Sequence, residues 1–187
     1  VPALIEQIEA ARAAGAEFII LLFDEIAAAG DDMQKLLAGA FNPEENRIAG
    51  FGLGENIQAV GTGNTIADKA GSRKLLTHVV NRQGIVVVKK DHSVWFRWAE
   101  ANDVMTLIIE CAKVNPDFFA DAVPKGEAQY CTYRSATAVS KWLSVWVEAQ
   151  DNWDGRLSEM ARKAVATRIG KAAANTLANY AENIAKE

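Results

Sequence analysis

Between residues 18 and 26 the chain reads FIILLFDEI, an apolar run without alternation that ends on two adjacent carboxylates. Alternating apolar and polar positions mark a strand with one wet face, whereas an unbroken run marks a strand buried on both faces, as at the centre of a helix-covered parallel sheet. Residues 18–23 are therefore expected to form such a strand, placing Asp24 and Glu25 at its carboxyl end, where open α/β sheets bind their ligands. Upstream, Pro2 opens a segment with Leu4, Ile5, Ile8 and Ala11 on one helical face and Gly15 at its end. Downstream, Met33, Leu36, Leu37, Ala40 and Phe41 recur at helical spacing until NPEEN at 42–46 breaks the pattern.

The same reading predicts a glycine-rich turn or hairpin within 47–56, then a short strand over 57–61 that ends at Thr62, Gly63 and Asn64. SRKLLTHVV at 72–80 is expected as a helix, NRQG as the turn after it, and IVVV at 85–88 as a third buried strand. Three β-rich runs separated by helical segments predict a layered α/β sheet. Beyond Lys90 the pattern changes. SVWFRWAEA, DVMTLIIECAKV, YRSATAVSKWLSVWVEA, GRLSEMARKAVATRI and KAAANTLANYAENIA all carry apolar residues at helical intervals, with a loop around Pro124 and Gly126 between the earlier and later ones. The pairs Trp95/Trp98 and Trp142/Trp146, three and four residues apart, are assigned to helix packing rather than to a stacking platform.

Composition narrows the functions available. Half of the 187 residues are hydrophobic, enough for one substantial core and a satellite domain. A formal charge of −4 does not indicate a surface that grips nucleic acid as a whole. No apolar segment approaches the roughly 20 residues of a membrane span. Cys111 and Cys131 have neither CxxC spacing nor His-rich company, so a reducing, cytoplasmic setting is the expectation. The first residue is Val1, without a signal-like segment, so the chain reads as trimmed from something longer.

An apolar strand ending FDE, a helix with Gln34 and Leu37, a strand ending TGN, then AGSRKLLTHVVNR and IVVV, resembles the second half of an AAA+ ATPase core. The MoxR-like group is the most similar variety, and WFRWA and YRSATAVSKWL resemble its tryptophan-containing helix and helical lid. The resemblance spans about residues 17–185, and the order of the motifs carries it more than any motif alone. It implies an α/β fold: a partial P-loop-type layered αβα sheet over residues 1–90, then an all-helical lid over 91–187. It also implies a homo-oligomeric ring of about six subunits that couples ATP hydrolysis, with Mg²⁺, to remodelling of an unidentified protein client.

The chemistry of that reaction needs a metal to neutralise phosphate charge, a group to orient water and cations for the transition state. By resemblance, Asp24 matches the Walker B aspartate that holds magnesium and Glu25 the neighbouring glutamate that polarises water. Asn64 matches sensor 1, an amide that both donates and accepts. Arg82 matches the arginine finger that reaches a neighbouring subunit's site, although Gln83 and Gly84 follow it where the family often has an aromatic. Arg134 matches the sensor 2 arginine of the lid, in CTYRS surroundings that lack the usual proline. Arg73 is a further cationic candidate. Read without the resemblance, Asp24 and Glu25 are also a solvated strand end, Asn64 a turn residue, and Arg82 and Arg134 surface cations.

One element of the pattern is missing. No GxxxxGK[ST] occurs, and GFGLGEN at 50–56 has no lysine and follows rather than precedes the acidic strand. The sequence is therefore expected to be the remainder of a protein whose P-loop lies upstream, with an incomplete sheet and an exposed edge. The competing class is a noncatalytic interaction or scaffold module derived from the same fold. A phosphoreceiver domain ranks below both, because no third acidic strand end is present and it needs no long helical half.

Overall fold

Pro2, at the first position of a helix, needs no backbone donor there, and α1 runs Pro2–Ala13 in a computed structural model that describes residues 2–64, 74–121 and 129–186. Gly15 at φ +86° closes the helix, with Gly15 N–H donating to Arg12 O and Ala16 N–H to Ala11 O at 2.9 and 3.0 Å. The chain divides into two units, 1–88 and 89–187. In the first, β1 (Ile19–Phe23) is followed by α2 (Asp31–Leu37), which a 3₁₀ turn over Ala38–Ala40 extends. A short antiparallel hairpin, β2 (Arg47–Ile48) and β3 (Phe51–Gly52), leads into β4 (Ile57–Gly61). The last helix of this unit is α3, Thr77–Val80.

β1 and β4 pair in parallel, Ile19 opposite Ile57 through Phe23 opposite Gly61. Their odd-numbered residues Leu21, Ile57 and Ala59 join a core with Ile8 of α1, Leu37 of α2, and Ile48 and Leu53 of the hairpin region. The even-numbered ones face outward: Leu21 is 6% exposed, but Ile20 and Leu22 are each 63% exposed. The expectation of a strand buried on both faces is thus corrected. No described element covers the second face, so an unbroken apolar sequence meets a one-sided environment.

Two further expectations need correction. Residues 85–88 are not a strand, and Ile85, Val86, Val87 and Val88 are all exposed. A strand exists by its ladder, and β-branched composition alone supplies no partner. The helix expected over 72–80 is confined to Thr77–Val80, with residues 74–76 not helical and 72–73 outside the described residues. The hairpin, the strand at 57–61 and the turn after Asn81 occur where the pattern places them. The chain is therefore mixed α/β, with a small two-stranded parallel sheet and a largely helical remainder.

The second unit is all-helical among its described residues: α4 (His92–Ala101), α5 (Thr106–Val114), α6 (Tyr133–Glu148) and α7 (Glu159–Ile184). Caps define their starts. Asp91 accepts from Ser93 and Val94 N–H at the start of α4, and the Ser93 hydroxyl bond holds its carboxyl below the usual range. Thr132 and Ser135 form a reciprocal capping box at α6. Ser140, almost wholly buried, accepts from Met105 N–H at 2.7 Å and so finishes the start of α5 with a side chain from α6. The core gathers Trp95, Ile108, Leu143, Val165, Ile169 and Leu177 from all four helices. The tryptophan pairs divide between roles: Trp95 is buried, but Trp98 and Trp142 are partly exposed.

Gly170 interrupts α7 at φ 80°, ψ 160°, where the sequence pattern also changes from ATRI to KAAAN. A Cβ there would lie 2.5 Å from Gln129 O, so conformation and contact both require glycine. Gly170→Ala is expected to destabilise the second unit by about 2 kcal/mol or more, read from urea melts. Gly84→Ala, where a Cβ meets nothing within 4 Å, should stay within about 0.5 kcal/mol. Equal stability of the two variants would contradict the geometry at Gly170.

Cys111 and Cys131 are buried thiols whose ionisation desolvation pushes up to about 12, from 9.0. The folded state thus holds protons that the unfolded chain releases from about pH 9 upward. Their stabilising contribution is complete below pH 9 and is lost as pH rises toward 12. Urea midpoints should fall over that range more steeply in the parent than in the Cys111→Ala/Cys131→Ala variant. A thiol reagent at pH 8 should label the folded chain at least about 10²-fold more slowly than the unfolded one.

Candidate functional site at the ends of the parallel strands

Because β1 and β4 are parallel and in register, both carboxyl ends arrive at one edge, with Phe23 opposite Gly61. Two backbone bonds extend the ladder past that point: Thr62 N–H donates to Phe23 O at 3.0 Å and Ile26 N–H to Thr62 O at 2.9 Å. Asp24 is thereby held beside Thr62, whose hydroxyl donates to Asp24 Oδ1. Asp24 Oδ1 also accepts Glu25 N–H at 3.1 Å. Asn64 Nδ2 lies 3.1 and 3.2 Å from the two carboxylate oxygens of Glu25. Two acids are thus each matched to one polar side chain from the neighbouring strand end.

Backbone conformation separates the two acids. Glu25 has φ 55° and ψ 38°, left-handed values uncommon for a residue with a side chain, at a cost on the order of 1–3 kcal/mol. The bend leads directly into the 3₁₀ turn Ile26–Ala28. Gly63 permits the approach from the other strand, since a Cβ there would lie 3.2 Å from Ala27 Cβ and 3.3 Å from Ala27 N. Asp24, Glu25, Thr62 and Asn64 are all solvent-exposed, so the cluster is open to a solute.

The donor set suits a particular kind of cation. Among the described residues no group of three or more His, Cys, Asp and Glu side chains gathers to hold a metal. A zinc-type cage is therefore not offered here. One exposed carboxylate with a hydroxyl beside it does fit Mg²⁺, which keeps several waters and takes its other ligands from substrate phosphates.

Of the other expected residues, Arg82 is held within the same unit by an acid other than Asp24 or Glu25. Arg82 Nη2 is 2.7 Å from Glu45 Oε1, and Glu45 also accepts Asn42 Nδ2 at 3.2 Å and pairs with Arg47 at 3.6 Å. Arg82, Glu45 and Arg47 line a shallow cleft of about 310 Å³ together with Lys35 and Gly39. Arg134 is exposed at the second residue of α6, in the other unit. Arg73 lies outside the described residues.

Three contributing residues were given no role from the pattern, although Thr62 was placed at a strand end and Gln34 in the helix after the acidic pair. Thr62 follows a strand whose register sets it opposite Asp24, and only the pairing reveals that. Glu45 holds Arg82 from within the NPEEN break. Gln34, fully buried, donates to Ala29 O at 3.1 Å and accepts Leu76 N–H at 3.0 Å, anchoring the residue before α3 and hence the segment that carries Arg82. Its signal was present: a polar residue three positions before Leu37, on the helix face that is buried.

Compared with protein-family models, curated proteins and solved structures, the chain finds no match in any of the three.

Gly63→Val tests the close approach. It should separate Asn64 from Glu25 and cost about 1–3 kcal/mol by overpacking against Ala27. Amide hydrogen exchange at Ile26 and Thr62 should speed up while α1 stays protected. Unchanged exchange at both amides would show that the two strand ends are not locked together.

Proposed function

We propose that the cluster at the ends of β1 and β4 is the water-activating half of an AAA+ type nucleotide site, in a MoxR-like protein that couples ATP hydrolysis to remodelling of a protein client. One observation carries the reading: Asp24 paired with Thr62, and Glu25 paired with Asn64, at the carboxyl ends of adjacent parallel strands. In this reading Asp24 and Thr62 hold Mg²⁺, which when bound with the nucleotide neutralises phosphate charge. Glu25 accepts a proton from the attacking water, and Asn64 holds the Glu25 carboxylate in one orientation. The exposed outer face of β1 and the exposed run 85–88 support a larger layered αβα sheet completed by chain outside these residues. That chain would also supply the phosphate cradle, since no GxxxxGK[ST] occurs here.

Arg82 is assigned to the neighbouring subunit's nucleotide, Glu45 storing its charge until that phosphate arrives. Use of one subunit's arginine by the next is a heterologous contact that closes into a ring, by resemblance of six. Arg134 is assigned to the nucleotide contact of the helical lid.

The 187-residue chain alone should bind ATP weakly or not at all and should not hydrolyse it; low-micromolar affinity by calorimetry would overturn the assignment of the cradle. In a protein that also carries the cradle, Glu25→Gln should keep MgATP binding and slow hydrolysis by about 10²-fold or more. Asp24→Ala should weaken the magnesium-dependent part of binding. Arg82→Ala should cost less than about 1 kcal/mol of stability, its partner being a partly exposed carboxylate, yet reduce turnover by about 10³-fold. Confirmed mixed oligomers of Arg82→Ala and Glu25→Gln subunits should recover activity, because a mixed interface can restore one intact site. Near-normal turnover in all three single variants would eliminate the roles given to Asp24, Glu25 and Arg82, and absence of turnover in the parent that carries the cradle would leave the noncatalytic scaffold as the reading.

A further inference from the structure

Apart from Arg134, the α6–α7 pair carries a charge asymmetry that the nucleotide reading does not use. From 134 to 147 on α6 and from 160 to 181 on α7 every charged residue is basic: Arg134, Lys141, Arg162, Lys163, Arg168 and Lys171. The whole chain, by contrast, has a formal charge of −4. Between the two helices lies a cleft of about 250 Å³ whose walls include Ala138, Val139 and Trp142 of α6 and Ala164 and Val165 of α7, with Arg168 at its rim. Arg168 and Lys141 take part in no ion pair among the described residues, so their charge is available at the surface.

On the apolar side, Val139 and Val165 are buried and Trp142 is open to solvent. Trp142 is 41% exposed, and its ring stacks on Trp146 with centroids 6.3 Å apart and planes at 14°, which limits its motion before anything binds. Val145, one turn beyond Trp142, and Met160, one turn before Ala164, are 66% and 78% exposed. These two side chains extend the exposed apolar surface of α6 and α7 beyond the walls of the cleft, which Arg168 lines on its basic side. The cleft is smaller than the roughly 300–1,000 Å³ of small-molecule sites, which suits one anchor side chain of a longer partner.

We propose that the α6–α7 groove docks an acidic peptide segment, one apolar or aromatic side chain seated against Trp142 and Ala164 and flanking carboxylates facing Arg168 and Lys141. Charge complementarity selects the partner's sign, and the apolar floor selects a peptide with an anchor over a uniformly charged polymer. Ala138 and Ala164 act by being small, since larger side chains at those positions would fill the cleft.

The test uses the 187-residue chain and fluorescein-labelled 12-residue peptides rich in Glu with one central Leu, Phe or Trp. Companion probes are the same peptides with Ala at the centre, their Lys-for-Glu counterparts, and a 20-nucleotide poly(dT). Anisotropy at low salt should show at least one acidic anchored peptide bound, about tenfold weaker without its anchor, and no binding of the basic counterparts. Arg168→Glu, Trp142→Ala and Ala164→Leu, each verified as folded by circular dichroism, should each weaken that peptide about tenfold or more, whereas Lys186→Glu should not. The proposal is overturned if no acidic peptide binds below 1 mM, on the order of a weak encounter, or if the anchor makes no difference. It is likewise overturned if poly(dT) is the tighter ligand, or if Trp142→Ala abolishes self-association of the chain, which would make a second copy the occupant.

Discussion

The parallel register of β1 with β4 is the constraint on which the acidic cluster depends. Asp24, Glu25, Thr62 and Asn64 belong to segments about forty positions apart in sequence, and none touches its partner through local geometry. The ladder brings the two ends together, and the 2.9 Å bond from Ile26 N–H to Thr62 O carries the alignment one step past the strands. A one-residue slip would exchange the two faces of a strand, moving Leu21 out of the core and Ile20 into it. The hydrophobic effect on one face therefore holds the position of the charges at the end. The energy that organises the polar cluster comes from Leu21, Ile57 and Ala59 against Ile8 and Leu37, not from the exposed carboxylates.

That arrangement also concentrates apolar exposure. Ile20, Leu22 and Val60 lie on one sheet face, and residues 85–88 add four exposed β-branched side chains in the same unit. Isolated exposed apolar residues are ordinary, but contiguous ones mark a surface that another element covers. Among the described residues the two-stranded sheet has an open edge on each side, a place where backbone pairing and apolar burial are both available.

The helical unit solves its own polar requirements in a different way. Buried helix starts need partners for their first N–H groups, and here these come from Asp91, the Thr132–Ser135 box and Ser140 reaching across from a neighbouring helix. Gly170 lets α7 change course where the backbone of Gln129 and Tyr130 passes too close for any side chain. With the interior closed by these devices, the basic residues of α6 and α7 are left to the surface. There they sit beside an apolar groove lined by Val139 and Val165 of the core and by the exposed Trp142.

The sequence by itself determined the elements whose signals are local. Pro2 and Gly15 bound α1, the run 57–61 is β4, and helical periodicity placed α4 through α7. It also named Asp24, Glu25 and Asn64 as strand-end polar groups. Tertiary structure decided what depends on partners. Whether FIILLF is buried on one face or two depends on what covers it, and whether IVVV becomes a strand depends on an edge within reach. Thr62 joined the site and Arg82 went to Glu45 because pairing register and charge proximity are properties of the folded chain, invisible to any window of sequence shorter than the separation they bridge.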